Sequence, residues 1–150
     1  MSVRMTHDIE INCSAERLFN YVTQPWLWHE WHPDSKGARA DRQVLSVGDT
    51  FDETIAVQPL LPFPLTITRH PHYTVHESVP HSTWSAEGTF TDGWLSFRYD
   101  IQPLATGVLF KRTLQFEVRG MMRLLVPLVR IKQERKSQVA LAALKRRMES

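Results

Sequence analysis

Arg112 stands in the middle of an otherwise apolar alternation: Val108, Phe110, Arg112, Leu114, Phe116 and Val118 share one parity, while Leu109, Lys111, Thr113, Gln115 and Glu117 share the other. Side chains two apart on a strand lie on one face. The pattern therefore sets a guanidinium on a surface meant for the core, where a cation needs a partner. Glu53 is the expected one, since it shares a side with Phe51, Ile55 and Val57 in an earlier strand. The pair reads either as an internal ion pair or as a fork held ready for a ligand carboxylate, phosphate or polarised carbonyl. Truncating Arg112 in a buried pair is expected to cost about 3–5 kcal/mol.

The same parity argument collects other inward-facing residues. One strand offers Leu95, Phe97, Tyr99 and Ile101, and the one before it Trp84, Ala86, Gly88 and Phe90. A strand over 65–78 contributes Ile67, Arg69, Tyr73 and Val75, with Pro71 as the place where its register can reset. His7 joins the set from the first strand. His70, His72 and His76 share a face with Thr66, Thr68, Thr74 and Ser78, a solvated pattern rather than a converging zinc set, so no metal is expected. There is no phosphate loop, dinucleotide glycine fingerprint or nucleophile elbow, and no cofactor is implied. Cys13 is the only cysteine; it excludes an internal disulfide and fits a reducing, cytoplasmic setting.

The elements that must position these residues follow from periodicity. Met5 to Cys13 alternates as a strand; Ser14 can cap a helix whose stripe is Ala15, Leu18, Phe19 and Val22. Pro25 opens a second short helix carrying Trp26, Trp28 and Trp31, which His32-Pro33 closes. These tryptophans read as helix packing first and ligand contact second. Six strands follow, near 38–47, 50–57, 65–78, 82–91, 93–102 and 107–118, with turns that imply antiparallel hairpins. Gly120 introduces a long helix to about Glu149, with Pro127 expected to kink it. Its apolar residues Leu124, Leu125, Leu128 and Ile131 are expected to bury against the sheet.

At 150 residues the chain fits a single domain, 1–150. The N-terminus has no signal-peptide apolar run, and the stretch 121–131 is too short and too basic to span a bilayer. From Arg119 onward nine Lys and Arg face two acids, a charge of +7, against −5 for the remainder. That basic segment reads first as a solvated helix face; no nucleic-acid partner is expected, and peripheral membrane contact stays open.

The order and local wording resemble the START-related SRPBCC superfamily, the polyketide cyclase/dehydrase-like branch of helix-grip proteins. The residues that carry the resemblance are Ile9-Glu10-Ile11, Ser14 to Phe19, Pro25-Trp26, Trp28 to Trp31, Leu45 to Phe51, Val75-His76-Glu77 through Trp84, and Leu141 to Glu149. It implies an α+β helix-grip fold: strand, two short helices, six antiparallel strands and a long C-terminal helix, with a cavity between sheet and helix. The expected cavity residues are His7, Glu53, Arg69, Tyr73, Trp84, Phe97, Tyr99, Phe110, Arg112, Leu124 and Leu128.

Three functions follow in order of preference. The first is binding of a small hydrophobic or amphipathic molecule such as a lipid, isoprenoid, polyketide or aromatic compound. The second is a polyketide cyclase/dehydratase using the same cavity, with Arg112, Tyr99, His7 and Glu53 as the acid–base candidates. The third is a protein-interaction domain akin to chaperone-activating relatives. Under each of the three the chain is expected to be a monomer or a homodimer. The apolar connection 58–65, with Leu60, Leu61 and Phe63, reads equally as simple packing of the loop onto its own domain or as one of three functional features: a lid over the cavity entrance, which is preferred, a subunit contact or a membrane-docking tip.

Overall fold

The N-terminal strand β1 (Val3–Ile11) pairs antiparallel with the last strand β8 (Val108–Val118), so the first and last strands of the chain lie side by side. The structure is a computed structural model that describes residues 2–60 and 62–150. Between those strands lie β2 (Ser35–Ala40), β3 (Thr50–Val57), β4 (Ile67–Arg69), β5 (His72–Val79), β6 (Thr83–Phe90) and β7 (Gly93–Pro103). The eight form one antiparallel sheet in the order β1-β8-β7-β6-β5-β3-β2, with β4 paired to β3. Helix α1 (Ala15–Val22) and the 3-10 turn Pro25–Glu30 follow β1, and α2 (Val126–Glu149) closes the chain behind a second 3-10 turn, Gly120–Leu125. This is the expected α+β helix-grip architecture.

Burial tracks the alternation. Phe51, Glu53, Tyr73, Val75, Trp84, Ala86, Leu95, Phe97, Tyr99, Ile101, Phe110, Arg112, Leu114 and Phe116 are all buried on the sheet's concave side. Trp28 inserts edge-on among the rings of Phe51, Tyr73, Trp84, Phe97 and Tyr99, with centroids 5.4–6.3 Å away. T-shaped contacts of this kind let the positive ring edges meet negative faces. Its indole N–H donates to the Val22 carbonyl at 2.8 Å, so the end of α1 fixes the ring that centres the core. Ser14 caps α1 by accepting from the Arg17 amide at 3.1 Å, as its position predicts. Gly88 has to be glycine for a local reason: a Cβ there would come within 2.6 Å of the Tyr73 ring.

Four expectations need correction. The strand expected over 38–47 is Ser35–Ala40, bulged between Ser35 and Gly37, and the residues after it run as irregular chain with a turn at Val47-Gly48. The strand expected over 65–78 is two, because buried Pro71 separates β4 from β5 and has no amide hydrogen for a ladder. Pro127 does not kink a helix: it lies in the first turn of α2, where its missing N–H has no intrahelical partner to lose. The fourth concerns the helix face. Leu124, Leu128 and Ile131 are 78%, 41% and 60% exposed, and Leu125 is half-buried. The stripe that packs inward is instead Gln133, Ser137, Ala140, Leu141, Leu144 and Met148. Continued back at spacings of four and three it runs through Val129, Val126 and Met122, two residues out of phase with Leu124, Leu128 and Ile131. Two residues are about 200° of helix, which is the opposite side.

Candidate functional site

Four strand spacings separate β3 from β8 along the sheet, about 19 Å if it were flat. The curl of the sheet brings them onto one cavity of about 120 Å³, which Glu53 on β3 and Arg112 on β8 both line. Its rim is apolar and half-buried: Val57, Ile67, Phe90, Val118, Met122 and Val126. Arg69 stands at this rim, clamped by Asp92 through two bonds of 2.8 and 2.7 Å, so its charge is already answered.

Farther in, Trp28, Trp31, Phe97 and Tyr99 supply aromatic walls, and polar groups gather beside them. The Arg112 guanidinium lies over the Phe97 ring, 4.9 Å from its centroid, and donates from Nη1 to Ser137 Oγ at 3.3 Å. Glu53 accepts from the Tyr73 hydroxyl at 2.8 Å. Asp34 accepts from Gln133 at 2.6 Å and from Lys136 at 2.7 Å, tying the approach to β2 onto α2. The amide of Asp34 donates to His32 Nδ1 at 3.2 Å.

Burial drives the acid–base properties. It pushes the Glu53 carboxyl up to about 7, with the Ser35 hydroxyl, the Tyr73 hydroxyl and the Arg112 charge pulling the other way. His32 is held well below its ordinary value, first by burial and then by the charges of Arg112 and Lys136, so it is neutral. With Nδ1 accepting, the proton of neutral His32 belongs on Nε2. Burial also raises the phenols of Tyr73 and Tyr99, which leaves both as un-ionised donors rather than bases. Three N–H groups on cavity-lining residues, Trp31 Nε1, His32 Nε2 and Arg112 Nε, are buried without a hydrogen-bond acceptor among the described residues. Such orphans are rare in folded proteins, because each costs about 1–3 kcal/mol.

A family model for polyketide cyclase/dehydrase and lipid transport proteins matches residues 2–149. The chain belongs to this family. Among solved structures, it is similar to the Zhui aromatase/cyclase from Streptomyces sp. R1128, with a TM-score of 0.74, 12% identity, and coverage of 99% of this chain and 94% of that one. It is also similar to a START superfamily protein from Mycobacterium smegmatis, with a TM-score of 0.72, 16% identity and 97% of each chain covered. At such identities these likenesses establish the helix-grip fold. No curated protein matches the sequence.

Within this family fold, five of the eleven expected cavity residues line the cavity: Glu53, Arg69, Phe97, Tyr99 and Arg112. The Glu53–Arg112 ion pair is not formed: Glu53 is bonded to Tyr73 and Arg112 to Ser137, and the two interact only through their fields. Tyr73, Trp84 and Phe110 are fully buried in the core beyond the cavity wall. His7 faces α2 instead, with Nε2 2.7 Å from Glu134 Oε2. Leu124 and Leu128 lie on the outer side of the helical segment, away from the cavity. Of the loop residues, Leu60 is half-buried, Phe63 is 64% exposed, neither lines the cavity, and Leu61 falls outside the described residues. His70, His72 and His76 are exposed on the outer face.

Sequence reading missed His32, Asp34, Ser35, Gln133 and Ser137. The first three sit in what reads as a helix stop and loop, with no periodicity to give them a face. Gln133 and Ser137 did carry a signal. They are polar residues four apart on the stripe that continues as Ala140, Leu141 and Leu144, which marks a buried polar contact.

Proposed function

We propose that this chain binds a small amphipathic molecule, its apolar ring or chain against Trp28, Trp31, Phe97 and Leu114 and an acceptor oxygen toward Arg112, Trp31 and His32. The observation that carries this reading is the set of three buried N–H donors without acceptors on residues lining an otherwise apolar cavity. A hydrocarbon would leave them unanswered, whereas a carbonyl, phenolate or carboxylate oxygen would offset their desolvation. Size narrows the class further. An apolar cavity of about 150 Å³ holds benzene, so about 120 Å³ suits a single ring, and larger ligands require the half-buried rim to move. The single cysteine remains consistent with a cytoplasmic protein.

The test exploits Trp28 and Trp31 as reporters in the cavity wall. Tryptophan fluorescence should fall on titration with benzoate and respond far less to toluene. A charge-assisted hydrogen bond of about 1.5–3 kcal/mol corresponds to a preference of roughly 10- to 150-fold. Arg112→Met should erase most of that preference while keeping apolar contact with Phe97. Equal affinities for benzoate and toluene in the wild-type protein would refute the reading. Native mass spectrometry of the purified protein would identify the physiological molecule.

One observation favours a second reading, the cyclase/dehydratase. The Glu53 carboxyl near 7 can both take and return a proton at neutral pH. In an aldol closure it would accept a proton from a methylene between two carbonyls. The carbanion carbon then bonds to a distant carbonyl carbon, and the new alkoxide takes a proton, water being lost afterwards. Arg112 and His32 would steady the developing oxyanion. Glu53→Gln would abolish turnover of a poly-β-keto thioester and leave benzoate binding in place.

A further inference from the structure

The outer side of the 3-10 turn Gly120–Leu125 and of the first turns of α2 is apolar and uncovered. Met121 is 84% exposed, Leu124 78% and Ile131 60%. Phe63 and Leu65, in the β3–β4 connection, are exposed as well. That connection lies at the same end of the molecule: Val57 and Ile67, which flank it, share the cavity rim with Met122 and Val126, and Lys132 donates to the Gln58 carbonyl at 3.3 Å. Isolated exposed leucines need no explanation, but a cluster of this extent does.

The charge around it is one-sided. From Arg119 to Lys136 the segment holds six Lys and Arg, of which Lys136 is paired with Asp34, against one acid, Glu134, which His7 engages. Arg123, Arg130 and Arg135 are exposed and form no ion pair among the described residues.

We propose that this surface docks the protein on an anionic phospholipid membrane. The apolar side chains would enter the headgroup layer, and the arginines would meet lipid phosphates and carboxylates. Charge selects this occupant over a second copy, because a two-fold contact would press the same basic segment against itself. No described helix is long and apolar enough to cross a membrane, so the contact is peripheral. Met122 and Val126 lie on the inner side of the segment whose outer side carries Met121 and Leu124, so docking brings the cavity rim to the lipid.

Vesicle co-sedimentation tests the proposal with phosphatidylcholine alone and with phosphatidylcholine mixed with phosphatidylserine. The wild-type protein should partition onto the anionic vesicles about tenfold or more over the neutral ones, and added salt should reverse this. Met121→Ser/Leu124→Ser/Ile131→Ser and, separately, Arg123→Glu/Arg130→Glu should each lower partitioning about tenfold or more. Because these side chains are exposed, thermal unfolding and benzoate titration should not change, which keeps this test separate from the cavity reading. The proposal fails if wild type stays in the supernatant with anionic vesicles, or if either variant sediments as well as wild type. It also fails if wild type elutes as a dimer that the triple-serine variant splits, since a second copy would then cover the surface.

Discussion

Replacing Glu53 by Gln keeps the side-chain shape and an oxygen for the Tyr73 hydroxyl, but removes the proton that burial holds in place. In the folded protein this carboxyl titrates near 7, against 4.5 ordinarily. Between those values the native state keeps a proton that the unfolded chain has lost. The folded pKa is the raised one, so the native state binds more protons and stability falls as pH rises through this window. Integrating both titrations, this one group takes away about 1 kcal/mol at pH 5 and about 3 kcal/mol at pH 8. The Gln variant is spared both. Urea unfolding of the two proteins at pH 5, 6, 7 and 8 should show the difference moving toward the variant by about 2–3 kcal/mol across the range. In thermal scans the same swing is roughly 5–10 °C for a chain of this size. Taking the difference between the proteins cancels every other titrating group that the substitution does not touch. Parallel stability curves would show that the Glu53 carboxyl is ionised near its ordinary value, and the proton-shuttle reading would lose its basis.

Arg112→Met should raise the Glu53 titration midpoint further, because the Arg112 charge is one of the influences that lower it; carboxyl carbon NMR across pH 5–9 measures the shift. The same variant should cost less than the 3–5 kcal/mol expected for breaking a buried ion pair, since no direct pair with Glu53 exists to break. Gly88→Ala should destabilise by about 1–3 kcal/mol, read by chemical denaturation, because Tyr73 is fully buried and bonded to Glu53 and has little room to yield.

Strand faces were legible because a period of two leaves little ambiguity: once Phe110 and Phe116 are inward, Arg112 between them must be too. Which inward residues meet was not legible. Glu53 and Arg112 are four strand spacings apart in the sheet order, and whether curl closes that gap to a contact depends on every intervening strand. The bulge between Val75 and Glu77 in β5 and the interruption at Pro71 just before that strand alter the curl locally. The outcome is a shared cavity without an ion pair, each group finding a neutral hydroxyl instead. His32 was illegible for another reason: its role comes from an imidazole nitrogen buried in a segment with no repeating pattern.

The helix face shows why apolar content alone misleads. Between residues 121 and 131, Met122, Val126 and Val129 occupy one side and Met121, Leu124, Leu128 and Ile131 the other, so no single stripe stands out. An amphipathic helix on a core would carry charge where Leu124 and Ile131 stand. Leucine has the greater apolar area, and choosing the face by hydrophobicity selects the wrong one. What decides is continuity with the C-terminal half, where Ala140, Leu141, Leu144 and Met148 pack inward and fix the rotation of the helix. That phase leaves the leucines outside, among arginines rather than acids. A helix apolar on both sides has two apolar environments to satisfy, and in this fold the sheet supplies one of them.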